Sequence, residues 1–274
     1  MEIKIDFSED PASVLHRAGE FLGSQPVLHN LILTLLHARA AHPEPGRYWV
    51  AMEREKVAGV ALQSPLTFAA TLTPMDSRMA GALVDAIAES GISLPGVNGE
   101  AATAASFAGH WSERHKSAAT PFQGNRLYEL LEPGEAVDVR GELRVALPSD
   151  RSLVVEWNRA FQKEIGEPEH ETERRVDKWL TAGGVWVWDD GKPVSMAVGI
   201  QPVEGVVRVG GVYTPPDKRK QGFAAACVHA LSKRLRDAGF RCALYTDLGN
   251  PTSNSIYRRI GYRAVAEVLR YRFE

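Results

Sequence analysis

Trp49 and Trp186 stand 137 residues apart in the chain, as do Val57 and Val194, while Thr73-Pro74 and Thr214-Pro215 are separated by 141. A pattern that recurs at a nearly fixed offset admits only folds in which one supersecondary plan is used twice. The drift of four residues fits a longer loop in the second copy. Glu132-Pro133-Gly134-Glu135 has the composition of a linker between two structured segments. The expected division is therefore 1–134 and 135–274, which gives each copy of this 274-residue chain enough length for its own core.

Periodicity gives the same order of elements in both halves. In the first, Ile3–Ile5 alternates like a strand, and Ser8 ahead of Pro11 offers a helix start leading to Phe21-Leu22. A second helix is expected from Pro26 to Ala40, then a hairpin of Tyr48–Met52 and Val57–Gln63, a strand Phe68–Thr73, and a helix Arg78–Ser90 closed by Gly91. In the second, a strand Leu143–Leu147 precedes a helix capped by Ser149 or Asp150 and reaching Ile165, and then a helix Glu169–Ala182. A hairpin of Val185–Trp188 and Val194–Gln201 turns at Asp189-Asp190-Gly191. The strand Val206–Thr214, helix Gly222–Ala238, strand Cys242–Thr246, helix Ser253–Ile260 and strand Val265–Phe273 complete a mixed α/β chain.

Charge removes several function classes. With 32 Lys+Arg against 34 Asp+Glu the net charge is −2, so there is no electrostatic ground for a nucleic-acid partner. Two cysteines, Cys227 and Cys242, make no disulfide framework and lack ligands at metal spacing, so no metal is expected. Neither a signal sequence nor a membrane span is apparent, which points to the cytoplasm.

The informative segment runs Val212-Tyr213-Thr214-Pro215-Pro216-Asp217-Lys218-Arg219-Lys220-Gln221-Gly222-Phe223-Ala224-Ala225-Ala226. A strand ends at proline, a basic turn follows, and glycine with small neighbours opens a long helix whose first amides have no intrahelical partners. Those amides and the positive end of the helix dipole suit a diphosphate, and Gly222 and Ala224 allow close approach of its oxygens. Neither a P-loop nor a dinucleotide fingerprint is present.

Arg219-Lys220-Gln221-Gly222-Phe223-Ala224 resembles the acyl-CoA motif Gln/Arg-x-x-Gly-x-Gly/Ala of the GCN5-related N-acetyltransferase (GNAT) superfamily. Downstream, Asn250, Tyr257, Gly261 and Tyr262 fall on the matching positions of that family's Asn-x-x-Ala-x-x-Leu-Tyr-x-x-x-Gly-Phe segment, with Ser253 replacing the alanine. The resemblance implies two GNAT-like units, each a mostly antiparallel mixed sheet flanked by helices. It implies acetyl-CoA as co-substrate, direct transfer to an amine acceptor, and no metal. The cofactor would lie along Val212, Tyr213 and Thr214, on the turn and helix start Arg219, Lys220, Gln221, Gly222, Phe223, Ala224 and Ala225, and at Asn250 and Tyr257.

The same resemblance assigns the general acid to Tyr257, and a phenol suits the task because it is protonated at neutral pH. In many relatives a glutamate on the strand before the motif is the base, but Val206-Val207-Arg208-Val209-Gly210-Gly211-Val212 holds no acid. The candidates are Glu164, Glu167, Glu169 and His170, between the two helices where the resemblance locates the acceptor, and Asp247; His170 has the best intrinsic pKa. The glycines at 210–211 suit a strand beside which a ligand runs.

The first copy retains Arg78-x-x-Gly81 but has Leu83 for the small third residue, no Lys-Arg-Lys cluster, a helix shorter by about two turns over Gly81–Gly91 against Gly222–Gly239, and no tyrosine in Ala101–Gly109. It reads as a degenerate copy that supports the second or shapes its acceptor cleft. Trp186 and Trp188 share a strand face and read as core, as do His229 and both cysteines. The rival to an enzyme is a non-catalytic acyl-CoA-binding regulatory or scaffold protein. Acceptor identity and oligomeric state have no signature in the sequence.

Overall fold

The computed structural model describes residues 3–166, 169 and 171–274. The first ten elements are β1 (Ile3–Ser8), α1 (Pro11–Ser24), α2 (Asn30–Ala41), β2 (Arg47–Glu53), β3 (Lys56–Gln63), β4 (Ala70–Leu72), α3 (Ser77–Glu89), β5 (Gly96–Glu100), α4 (Ala101–His115) and β6 (Ala119–Leu130). The next ten repeat their order: β7 (Glu142–Val145), α5 (Arg151–Glu164), α6 (Thr172–Thr181), β8 (Val185–Asp189), β9 (Pro193–Gly199), β10 (Val206–Tyr213), α7 (Phe223–Asp237), β11 (Arg241–Asp247), α8 (Pro251–Arg259) and β12 (Tyr262–Phe273).

Contacts divide the chain into two compact units. One is Met1–Leu127 with Thr246–Asn250 and Ala264–Glu274; the other is Tyr128–Tyr245 with Pro251–Arg263. In the first, β1, β2, β3 and β4 form an antiparallel ladder, β4 pairs in parallel with β5, and β5 pairs antiparallel with the C-terminal β12, from Val268 opposite Glu100 to Arg272 opposite Gly96. In the second, β7, β8, β9 and β10 are antiparallel and β10 pairs in parallel with β11. Each unit is thus a mostly antiparallel mixed sheet, as the resemblance implies.

The second unit buries a cluster on each face of its sheet. On one, Val194, Ala197, Val209 and Leu244 pack with Phe223, Cys227 and Leu231 of α7. On the other, Val187, Met196, Val198 and Tyr213 pack with Val154 and Trp157 of α5 and Val176 of α6. Trp188 is in the α7 cluster and Trp186 packs against it, consistent with the core reading.

Residues 92–131, for which the sequence periodicity names no element, contain β5, α4 and β6. Gly96-Val97-Asn98-Gly99 has no alternation to read because all four residues are buried. The helix signal after it was present: Glu100 accepts the amides of Ala102 at 3.1 Å and Thr103 at 3.0 Å, and Ala104, Phe107, Ala108 and Trp111 form the buried stripe. Two further expectations are corrected. The strand placed at 68–73 shrinks to Ala70–Leu72, and α3 at 13 residues is nearly as long as α7 at 15, so the two-turn difference does not exist.

The entry to α5 is held by charge. The Asp150 carboxylate accepts from Arg144 Nη1 at 2.7 Å and Nη2 at 3.3 Å and from the Leu147 amide at 2.7 Å, and Arg144 also reaches Asp189 at 2.7 Å. The Arg144 hydrogen bond holds the Asp150 carboxyl below its ordinary 3.8. A depressed carboxyl pKa contributes stability fully above the unfolded value and loses it as pH falls through the folded one. Asp150→Asn is therefore expected to cost about 1–2 kcal/mol at pH 7, and the difference from wild type should vanish progressively below about pH 4 in urea denaturation followed across pH.

Candidate active site

Along β10, Gly210 sits opposite Val198 of β9 and Tyr213 opposite Met196, so Gly211 and Val212 together face the single residue Ala197. This is a β-bulge, and Gly211 serves it with φ +55°. On its other edge β10 pairs with β11 only from Val206–Arg241 to Arg208–Ala243. Beyond that rung the two parallel strands part, which leaves the β11-facing amides and carbonyls of Val209–Tyr213 without strand partners.

The turn after β10 is locked from below. Thr214 is buried, its hydroxyl 2.8 Å from that of Ser195, which also lies 3.1 Å from the Tyr213 carbonyl. Arg219 donates through Nε to the Thr214 carbonyl at 2.9 Å and through Nη2 to Glu164 at 2.5 Å, and its guanidinium stands 5.7 Å from the centre of the Tyr213 ring. Gln221 is exposed and reaches the Asp217 carbonyl at 3.3 Å. Lys220 is exposed with φ +62°, a left-handed conformation that costs a lysine about 1–3 kcal/mol and is retained where the surroundings fix the turn.

Gly222 then caps α7 with φ +87° and, having no side chain, leaves the first amides of the helix uncapped. A Cβ on Gly222 would stand 2.9 Å from Val139 Cγ1. Phe223 and Ala225 point into the α7 cluster and Ala224 is half-buried, so Phe223 and Ala225 can meet a ligand only through their amides.

The corresponding place in the first unit is filled. Only Pro74, Met75 and Asp76 separate Thr73 from α3, against the eight residues 215–222 before α7. Asp76 caps α3 by accepting the Met79 amide at 2.9 Å, and Arg78 bridges Asp76 at 3.1 Å and Glu53 at 2.9 Å. A carboxylate of the chain itself thus occupies the anion position. Arg78 and Gly81 lie inside α3, with Gly81 against the His110 ring, so their alignment with Arg219 and Gly222 in the sequence is not structural.

Tyr257 lies on α8 between two other tyrosines, its ring centre 6.5 Å from that of Tyr128 and 6.1 Å from that of Tyr262. The other two hydroxyls are engaged, Tyr128 with Asn254 Oδ1 at 2.9 Å and Tyr262 with Ser232 Oγ at 2.8 Å. The Tyr257 hydroxyl has no hydrogen-bond partner among the described residues, and burial pushes its pKa up to about 12. It is a phenol held protonated with its proton available.

Asn250 immediately precedes α8, its amide bonded to the Asp247 carbonyl at 3.1 Å. Of the base candidates, Glu164 is ion-paired with Arg219, Asp247 accepts the Gly249 amide at 2.6 Å, and Glu169 is exposed. His170 and Glu167 lie outside the described residues. His229 Nε2 sits 2.8 Å from the Gly134 carbonyl, and burial pushes both Cys227 and Cys242 up to about 12, so neither is a reactive thiolate. Among the described residues no cluster of His, Cys, Asp and Glu could hold a metal ion, and no helix is long and apolar enough to cross a membrane.

Residues 152–262 match the profile of the Acetyltransferase (GNAT) family. No curated protein matches the chain by sequence. Among solved structures, a GCN5-related N-acetyltransferase from Sphaerobacter thermophilus superposes with TM-score 0.65 at 16% identity, covering 98% of this chain and 95% of its own. A GNAT-family acetyltransferase from Colwellia psychrerythraea gives 0.61 at 12% over the whole of both chains. A tandem GNAT protein from the clavulanic acid biosynthesis pathway gives 0.56 at 10%, with 98% of each chain covered. At these identities the likeness is one of fold. The second copy thus matches the profile of a GNAT acetyltransferase domain, a match that supports acyl transfer in general, and the whole chain has the fold of a tandem GNAT protein.

Proposed function

We propose that the chain transfers an acetyl group from acetyl-CoA directly to a primary amine, with the second unit as the catalytic one. The observation that carries this reading is the uncapped start of α7 behind Gly222, next to a β10 edge that has parted from β11. Amides of Phe223, Ala224 and Ala225 bind the diphosphate together with Lys220, while Arg219 and Gln221 hold the turn. Main-chain groups of Val212, Tyr213 and Thr214 receive the pantetheine amides, and Asn250 is assigned to the cofactor at the start of α8.

The neutral amine attacks the thioester carbonyl, the carbon–sulfur bond breaks as Tyr257 gives its proton to the departing thiolate, and the proton that the nitrogen sheds in becoming an amide restores the Tyr257 phenol. An ammonium must first lose a proton. That step is assigned to the connection between α5 and α6, with His170 as the group whose ordinary pKa suits neutral pH and Glu164 as the second candidate. The ion pair of Glu164 with Arg219 supports a positioning role for Glu164 and so favours His170. A cytoplasmic location accords with this chemistry.

Isothermal titration of the full chain with acetyl-CoA and with free coenzyme A, followed by a thiol-release assay with primary amines, tests the proposal. Dissociation constants of about 10 μM and amine-dependent thiol release are the expected results. Binding without release would favour a non-catalytic acyl-CoA-binding protein, the reading that a β10 without an acid supports. No binding would overturn both.

A further inference from the structure

Arg208 occupies the last rung at which β10 and β11 are paired, opposite Ala243. Its neighbour Val209 packs into the α7 cluster, so Arg208 lies on the other face of the strand, the face against which α5 packs. Tyr245, two residues beyond Ala243 on β11, shares that face and is, among the described residues, the one titratable neighbour that acts on the guanidinium. Among the described residues Arg208 makes no ion pair or hydrogen bond. Arg208 is half-buried and has no acid beside it among the described residues, an unusual arrangement because burying a charge is costly unless it is paired.

A second donor lies on the helix that packs on this face. Asn158, on the buried side of α5, is 2% exposed and its Nδ2 has no hydrogen-bond partner among the described residues. Burial meanwhile pulls the Arg208 pKa down, the direction that reports desolvation without a compensating anion. Diphosphate cannot be that anion. Arg208 and the end of β10 at Tyr213 are five residues apart, roughly 16 Å of strand, and the turn lies beyond.

We infer that Arg208 is a specificity-determining residue that receives a carboxylate of the amine acceptor, so that the acceptor class is amino acids or other amines carrying a carboxylate. This rests on the acyl-transfer reading above and narrows it. A guanidinium at the fork binds the carboxylate with charge-assisted, bidentate geometry and holds the amine near the place where the strands open.

The test uses the full chain with acetyl-CoA bound and two matched pairs of probes, glycine against methylamine and leucine against isopentylamine. The Arg208 side-chain Nε–H signal is assigned by its loss in Arg208→Gln. It is expected to shift saturably with the amino acids and not with the amines. In thiol release, Arg208→Gln should lower kcat/KM for the amino acids about 100-fold and change that for the amines less than about threefold, with Arg208→Lys recovering part of the loss. An arginine of structural importance alone would lower the melting temperature and move both classes equally. No saturable shift while acetyl-CoA still binds overturns the inference and leaves acyl transfer standing. A shift with succinyl-CoA but not with amino acids overturns the placement on the acceptor and moves the carboxylate to the acyl group. Failure of the wild type to bind acetyl-CoA overturns the underlying reading instead.

Discussion

Tyr257→Phe is expected to lower kcat by about 10²–10³ while leaving acetyl-CoA affinity within about threefold. The leaving group is a thiolate whose conjugate acid ordinarily has a pKa near 8.5, and a phenol held at about 12 by burial is protonated throughout the neutral range. The variant keeps the ring that packs against Tyr128 and Tyr262 and removes only a hydroxyl with no partner among the described residues, so stability should hardly change. Tyr128→Phe and Tyr262→Phe supply the contrast. Each removes one buried hydrogen bond, that to Asn254 or that to Ser232, so each is expected to lose about 1–2 kcal/mol in denaturation and little turnover. Turnover that survived Tyr257→Phe would sink the assignment of the acid without touching the case for cofactor binding.

The architecture was legible because the repeat carries information twice. A weak hairpin at 48–63 gained weight from a better-marked one at 185–201, and the Thr-Pro pairs located the strand ends that precede α3 and α7. What went unread was unmarked in one dimension. β5 has buried residues on both faces and so no alternation, and Arg78-x-x-Gly81 imitates Arg219-x-x-Gly222 although the loop before α3 is five residues shorter.

At the site, the turn could be read because glycine at a helix start, small residues and a strand ending in proline are local signals. The Asp76 cap, the Arg219–Glu164 pair and the lack of a partner for Arg208 among the described residues could not, since each depends on which residues distant in sequence do or do not meet. In the sequence Arg208 is one residue of a strand that holds no acid. Only the identity of its neighbours, and the rung at which the ladder stops, shows that it stands at the fork.

Gly222→Glu is expected to weaken acetyl-CoA binding at least about 100-fold, and the size follows from two separable terms. The first is conformational: φ of +87° costs a non-glycine residue about 1–2 kcal/mol, and the new Cβ must displace the Val139 side chain that stands 2.9 Å away. Gly222→Ala carries that term alone, and titration should show an affinity loss of about tenfold or less with a small fall in melting temperature. The second is electrostatic. A glutamate at this cap places its carboxylate where the diphosphate is expected, as Asp76 does at α3, and the helix dipole that would favour the ligand is satisfied by the chain itself. That term partly offsets the conformational cost in the free protein, so Gly222→Glu should be no less stable than Gly222→Ala while binding far more weakly. The converse change, Asp76→Gly in the first unit, should not create binding, because the loop before α3 lacks the residues that form the basic turn before α7. An unchanged dissociation constant in Gly222→Glu would remove the diphosphate from this turn and the acyl-CoA site with it.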